Sequence, residues 1–580
     1  MTIKKPYLQF DFSDSDRHQK PLVFSNPIAI LEARRLDEVL GMLEKVERFV
    51  QEGKYAAGYV SYEAAPAFEK SFKVQKNPKM PLIWFGIYDA PQSEDISRVP
   101  LPFHVSDWKS PWSREKYQAG FEKIKNEIEE GNTYQVNYTM RLRSRFEGDS
   151  FAFYKQLSKA QSSKYCAYLD IGEYSILSAS PELFFKLENH KVTTRPMKGT
   201  VQRGRTLQED RGNAEWLYNS EKNRSENLMI VDLLRNDLGR IAKAGTVKVP
   251  ELFAIEKYPT VWQMTSGITG ELQPRCTFLD VFKALFPCGS ITGAPKISTM
   301  GIITEVEDEP REVYCGAIGY ITPEGKAVFN VPIRTVSIHN QSGEACYGAG
   351  GGITWDSGMK DEYHEAFVKA RLLTQKPFHF ELLESLRLEE GGYFILPEHM
   401  ERLQNSAEYF DFPFEEKKVL EALRAFAEKH KNGLWKVRCL LSPNGDLNVE
   451  GAELSKNEDG VTCSLAQKPI SSDNIFLYHK TTNRKVYDDF KKEGTDFDVL
   501  LWNERGELTE FTFGSLVLEL KGELLTPPVS SGLLPGTFRE HLLKTGKIKE
   551  QTLTKSDLEK AQNTWHINSV RKWVKVKLKA

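Results

Sequence analysis

Lys198 stands between a proline and a glycine in Arg195-Pro196-Met197-Lys198-Gly199-Thr200, just after the β-rich run Val192-Thr193-Thr194. That pattern predicts a strand ending on a tight, glycine-bounded turn that carries the lysine. A lysine there is ordinarily a solvated charge. Without its proton it is a nucleophile, which requires desolvation or a nearby cation. Upstream, Glu182 leads into Leu183-Phe184-Phe185. A carboxyl among apolar neighbours has its pKa raised by burial and can hand a proton to a leaving group. Arg334 ends the Val/Ile-rich stretch Val331-Pro332-Ile333, read as a strand, where its guanidinium can grip a carboxylate through two parallel hydrogen bonds. Tyr314, twenty residues earlier, offers a phenol hydroxyl. Glu362 and Glu365 are three apart, so they share one face of a helix. Taken alone that is usually a solvated face, but hard oxygen donors of this kind also suit magnesium. Glu226 opens an apolar run through Leu228, Met229, Val231 and Leu234. The run Gly348-Ala349-Gly350-Gly351-Gly352, read as lying between strand and loop, suits backbone N–H groups brought against an anion. Far downstream a second lysine, Lys480, ends the apolar, strand-like run Ile475-Phe476-Leu477-Tyr478.

The elements that must position these groups form two patterns. Leu36 to Phe49 and Tyr117 to Glu130 read as helices, the second stopped by Gly131-Asn132. Strands and helices then alternate to a helix starting near Asp356, which runs out at Thr374-Gln375-Lys376-Pro377. A new pattern follows: a strand over 378–388, the turn Glu389-Glu390-Gly391-Gly392 and a second strand. The expected boundary is near residue 376, giving domains 1–376 and 377–580. With 580 residues and 40% hydrophobic content the chain can fill at least two cores. A formal charge of −2 without a basic stripe excludes nucleic-acid and membrane-surface binding. No window reaches the roughly 18 apolar residues of a membrane span. Nothing after Met1 resembles a signal peptide, and the 7 cysteines are scattered without C-x-x-C pairs. The expectation is a cytoplasmic protein with reduced thiols and no zinc site.

Together, Ser180-Pro181-Glu182, the P-x-K-G-T segment and the run Asn223 to Arg240 resemble the chorismate-utilising enzymes. The lysine of P-x-K-G-T looks like the aminodeoxychorismate synthase component I family, where anthranilate synthases usually carry alanine. Asp356-Ser357 followed by Glu362-Tyr363-His364-Glu365 resembles the family's metal-ligand motif. The resemblance implies Mg2+ held by Glu226, Glu365 and Glu362, a carboxylate-binding pair in Tyr314 and Arg334, and substrate contacts at Ser290, Thr200, Gly350 and Gly351. It implies that Lys198 adds to chorismate at C2 while Glu182 protonates the departing C4 hydroxyl, and that ammonia then expels the lysine. Asn223 departs from the aspartate of many relatives. Gln263 stands where several, especially anthranilate synthases, have histidine, which fits an enzyme that stops at the aminated intermediate. No amidotransferase nucleophile elbow is visible, so ammonia, or a separate glutamine amidotransferase subunit, is the implied nitrogen source.

The second half resembles class IV pyridoxal-phosphate enzymes, which include aminodeoxychorismate lyase and branched-chain aminotransferases. The carriers are Glu398-His399-Met400-Glu401-Arg402-Leu403, Gly506 to Glu510, Gly532 to Arg539 and Asn568-Ser569-Val570-Arg571. The resemblance implies pyridoxal 5'-phosphate bound by Lys480 as Schiff-base lysine and proton shuttle. Glu510 would sit on the pyridine nitrogen, with Arg402, Gly536 and Thr537 on the phosphate. Ser515 stands where many members have asparagine. The implied fold is α/β (α+β): a two-sheet sandwich with outer helices, then a two-subdomain class IV domain that forms a homodimer. The implied function is 4-aminobenzoate synthesis, a folate-precursor route, in two consecutive steps. The alternative is an anthranilate synthase component I-like enzyme carrying a class IV aminotransferase or an inactive domain. A non-catalytic subunit would have lost the acidic ligands or Lys198, and all are present.

Overall fold

The computed structural model describes residues 6–13, 20–92, 100–374, 380–455, 460–491 and 497–579. Its contacts divide the chain into two compact units, Met1–Gln202 with Ala214–Pro377, and Arg203–Asn213 with Phe378–Ala580. The boundary expected near residue 376 lies outside the described residues.

The first unit is built on two antiparallel sheets, one of nine strands and one of ten. In the first, the long strand Gln135–Gly148 pairs over residues 136–145 with Glu344–Ile353. The second carries Leu183–Glu188, Lys191–Arg195, Met197–Gln202 and Val261–Glu271. An aromatic-rich cluster joins the sheets: Leu8, Phe10, Tyr165 and Ala167 of one meet Tyr59, Trp84 and Tyr320 of the other. Helices cover the outer faces. Leu36–Gln51, Glu221–Gly239 and Phe278–Leu285 pack on one sheet, and Arg114–Glu129, Ser150–Gln161 and Met359–Ala370 on the other. Each helix turns an apolar stripe inward at helical spacing, as Val39, Leu43, Val46 and Val50 do. The helix expected near Asp356 begins at Met359.

The second unit has a four-stranded sheet under helices Leu396–Phe410 and Glu416–Lys429, and an eight-stranded mixed sheet. Leu382–Glu389 is the expected first strand. The expected second strand is only Gly392–Tyr393, because Leu396-Pro397 starts a helix there, with proline in the first turn. Among the described residues the seven cysteines are all free, and no helix is long and apolar enough to cross a membrane.

Candidate active sites

Lys198 is not on a turn. It lies within the strand Met197–Gln202, at a bulge. Met197 pairs with Thr265 and Thr200 with Gln263, so one extra residue is accommodated between them. Gly199, at φ +101°, supplies the backbone conformation that a side-chain-bearing residue rarely adopts. Two amides hold the bulge: Gln263 Nε2 donates to the Gly199 carbonyl at 2.9 Å, and Asn227 Nδ2 to the Lys198 carbonyl at 3.2 Å. The Thr200 hydroxyl donates to Gln263 Oε1 at 3.0 Å. The bulge aims Lys198 into a cavity of about 370 Å3, where its amine lies 3.2 Å from Glu226.

The same cavity is lined by Glu182, Thr200, Ser290, Tyr314, Arg334, Gly350, Gly351, Glu362 and Glu365, so every expected residue of this half reaches one space. Glu182 is 2% exposed, and burial pushes its carboxyl up to about 7. The Ser290 hydroxyl donates to it at 2.6 Å. Arg334 does not end a strand; it sits between Ala327–Asn330 and Thr335–His339 in left-handed backbone, φ +52°. Strained conformations of that kind persist where surrounding structure fixes them. Burial pulls its guanidinium down, and no acidic side chain forms a salt bridge with it among the described residues. A desolvated cation without a counter-ion is a ready carboxylate receptor.

The glycine run proves to be strand, not a loop edge. It makes room. A Cβ on Gly348 would meet the Tyr314 ring at 2.3 Å, and one on Gly352 would lie 2.7 Å from Lys198 Nζ. That same point is 3.1 Å from Nε2 of Gln135, a fully buried amide whose side-chain atoms find no hydrogen-bond partner among the described residues, and which sequence reading missed.

Three carboxylates supply hard oxygen donors whose chemistry suits magnesium. As placed, they are held by protein groups: Glu226 by Lys198, Glu362 by the Ser357 hydroxyl at 2.6 Å and Glu365 by Lys369 at 2.8 Å. Among the described residues they are not gathered on a single point. Lys369 and its neighbours hold Glu365 below the usual carboxylate range, whereas burial and then the nearby Glu365 charge raise Glu362.

The second cavity, about 480 Å3, is lined by Lys480, Arg402, Glu510, Ser515, Gly536 and Thr537. Lys480 follows a single helical turn, Ile475–Leu477, rather than the expected strand. Burial, with Arg402 nearby, lowers its amine to about 7. Glu510, on the strand Leu508–Phe511, accepts from the Tyr487 hydroxyl at 2.8 Å and from Leu534 N at 3.0 Å, and burial raises it to about 7. A Cβ on Gly536 would lie 2.7 Å from the Ser515 hydroxyl. Gly536 caps the helix Thr537–Lys544 without a side-chain cap bond, leaving N–H groups for an anion. Glu384, missed in the sequence, orients the site: it accepts from Arg402 Nε and Nη2 at 2.8 and 2.7 Å and meets His399 Nδ1 at 2.6 Å. Against the effect of burial, Arg402 and His399 lower Glu384 to about 2. A cation fork beside a helix start, a buried carboxyl and a near-neutral amine fit the phosphate, ring nitrogen and carbonyl of pyridoxal phosphate.

Residues 3–375 match the family model of chorismate binding enzymes. The chain belongs to that family. Within it, this chain is 44% identical over 272 residues to aminodeoxychorismate synthase component 1 of Escherichia coli K12, covering 47% of this chain and 60% of that protein. It is 39% identical over 267 residues to anthranilate synthase component 1 of Aquifex aeolicus, covering 46% and 54%. The match thus spans 54–60% of the length of these curated relatives. Among solved structures, anthranilate synthase component I of Streptococcus pneumoniae TIGR4 superposes with a TM-score of 0.53 at 26% identity, over 65% of this chain and 93% of that one. Outside the chorismate binding enzyme segment, residues 381–578 match the model described as amino-transferase class IV.

Proposed function

We propose that the chain makes 4-aminobenzoate from chorismate in two consecutive reactions, the first in domain 1–376 and the second in domain 377–580. One observation carries the reading: a lysine amine, a carboxyl raised by burial to about 7 and a guanidinium with no salt bridge among the described residues line one cavity, in a chain similar to aminodeoxychorismate synthase component 1. Arg334 and Tyr314 grip one substrate carboxylate. The Lys198 amine, released from Glu226, adds to C2 as the C4 hydroxyl leaves with the Glu182 proton, and the diene shifts. Ammonia then adds at C4, the lysine leaves C2 and the product is 4-amino-4-deoxychorismate. Mg2+ on Glu226, Glu362 and Glu365 would supply charge for a second carboxylate. The ammonia comes from a separate glutamine amidotransferase subunit. Gln263 braces the Gly199 carbonyl, next to the lysine, where anthranilate synthases usually have histidine, which favours stopping at amination.

In the second site, bound pyridoxal phosphate supplies an electron sink. Lys480 takes the proton from the carbon bearing the amino group, which its near-neutral amine can do at physiological pH. Glu510 would face the ring nitrogen, and Arg402 with the Gly536-Thr537 helix start would hold the phosphate. The C3–O bond breaks, the ring becomes aromatic, and the enolpyruvyl group leaves with the proton Lys480 took, as pyruvate. The protein works in the cytoplasm as a homodimer through this half. The test is product analysis: purified chain with chorismate, Mg2+, ammonia and pyridoxal phosphate, read by chromatography. 4-Aminobenzoate is expected. Anthranilate would overturn the first assignment, and accumulation of 4-amino-4-deoxychorismate alone would overturn the second.

A further inference from the structure

Eleven residues from the middle of the first half's sequence, Arg203–Asn213, belong by their contacts to the second unit. They directly follow the strand that carries Lys198. They are no ordinary surface loop. Arg203 and Asp210 form a two-pronged ion pair, Nε to Oδ1 2.6 Å and Nη2 to Oδ2 2.7 Å, with side chains only 6% and 1% exposed. Asp210 also accepts from Gly204 N at 2.9 Å, an approach so close that a Cβ on Gly204 would lie 2.1 Å from Asp210 N.

This knot seats on the helix Leu396–Phe410, the one bearing His399 and Arg402. The Arg203 guanidinium lies over the Tyr409 ring at 4.5 Å and donates to the Tyr409 carbonyl at 3.0 Å, while the Tyr409 hydroxyl donates to the Gly204 carbonyl at 2.7 Å. The next carbonyl, that of Arg205, lies 3.1 Å from Nε2 of buried His479. A carbonyl only accepts, so Nε2 carries the hydrogen. Burial keeps the ring neutral, its pKa lowered to about 4, so Nδ1 accepts from the Ser406 hydroxyl at 3.0 Å. Tyr409 packs on the ring at 4.2 Å. His479 immediately precedes Lys480, whose carbonyl accepts from Leu383 N at 2.9 Å.

We propose that Arg203–Asn213 is a positioning element of the Lys480 site. The Arg205 carbonyl, fixed by the buried Arg203–Asp210 pair, holds the His479 ring and so the backbone from which Lys480 enters the cavity. The second site therefore uses residues encoded within the first half of the chain. The inference rests on the reading of that site as a pyridoxal-phosphate site. His479 touches no reacting atom here, so it positions and does not catalyse.

The test uses the full chain loaded with pyridoxal phosphate, supplied with 4-amino-4-deoxychorismate. Two readouts are taken: kcat with KM for pyruvate release, and the midpoint pH of the lysine-bound cofactor's absorption band. His479→Leu and Asp210→Asn should each lower kcat about tenfold, leave KM within about twofold and move the midpoint by about half a pH unit. His479→Gln keeps a donor for the Arg205 carbonyl and an acceptor for Ser406, and should restore most of the loss. Tyr409→Phe removes a single hydroxyl and carries the test if Asp210→Asn does not fold. Wild-type kcat and midpoint in both His479→Leu and Tyr409→Phe overturn the inference. A wild-type protein that takes up no cofactor overturns the reading of the site itself.

Discussion

Replacing Glu182 by glutamine should abolish the first reaction while making the protein more stable at alkaline pH. The carboxyl is buried, and its titration is moved from 4.5 to about 7. A carboxyl whose folded pKa is raised binds its proton more tightly folded than unfolded. Its ionisation therefore costs stability as pH rises from 4.5 through about 7. Once fully ionised, that cost is about 3 kcal/mol. Glutamine has the same shape, keeps an oxygen for the Ser290 hydroxyl and carries no charge. Glu182→Gln should thus raise the unfolding free energy by about 1–3 kcal/mol at pH 8.5 and change it little at pH 5. Urea unfolding at the two pH values reads this directly. Amination, followed as chorismate loss with ammonia, should fall by about a hundredfold or more, the usual worth of a positioned acid. In the wild type, the same titration predicts a rate that declines as pH rises through about 7. Equal destabilisation at both pH values, or activity within tenfold of wild type, would refute the assignment of Glu182 as a buried acid.

Lys480→Ala should lose the absorption band of lysine-bound cofactor, and in the wild type the rate of cofactor capture should rise with pH about a midpoint near 7, not near 10.5. Stopped-flow absorbance measures both. Glu384→Gln removes the charge that holds Arg402 and His399, and should weaken pyridoxal-phosphate binding about tenfold in equilibrium titration. Removing divalent cations with a chelator should stop chorismate consumption yet leave pyruvate release from supplied 4-amino-4-deoxychorismate intact, and added Mg2+ should restore the first activity.

The residues expected in each half line a common cavity, and their types were legible because the proposed chemistry calls for lysine, glutamate and arginine. Their local geometry was less so. Lys198 read as the tip of a turn because Pro196 and Gly199 flank it, yet pairing with Val261–Glu271 draws the segment into the sheet and the glycine serves a bulge instead. Lys480 read as a strand end because Ile475-Phe476-Leu477-Tyr478 is apolar. Asn474, whose side chain accepts from Phe476 N, turns that run into a short helix. The bracing groups were harder still. Glu384 lies in a strand that mixes leucines with charged residues and Gln135 opens another mixed strand, and only partners distant in sequence reveal what Glu384 does.

The cavity that holds Lys198 separates its carboxyls by environment, and this separation argues for their roles. Glu182 forms no salt bridge among the described residues; burial raises it to about 7 against the Ser290 hydrogen bond and the weaker pull of the Arg334 charge. Glu365 faces Lys369 and stays anionic. Two carboxyls pushed in opposite directions within one cavity divide into a proton donor and a charge. Glu362 stands between these extremes: burial and the neighbouring Glu365 both disfavour its charge, so the pair is under repulsion that a cation would relieve. Exchanging the roles would ask buried Glu182 to carry its charge against desolvation and Glu365 to hold a proton beside the Lys369 ammonium. The arrangement supports the proposal of Glu182 as the proton donor and of Glu362 and Glu365, in the same cavity, as cation ligands.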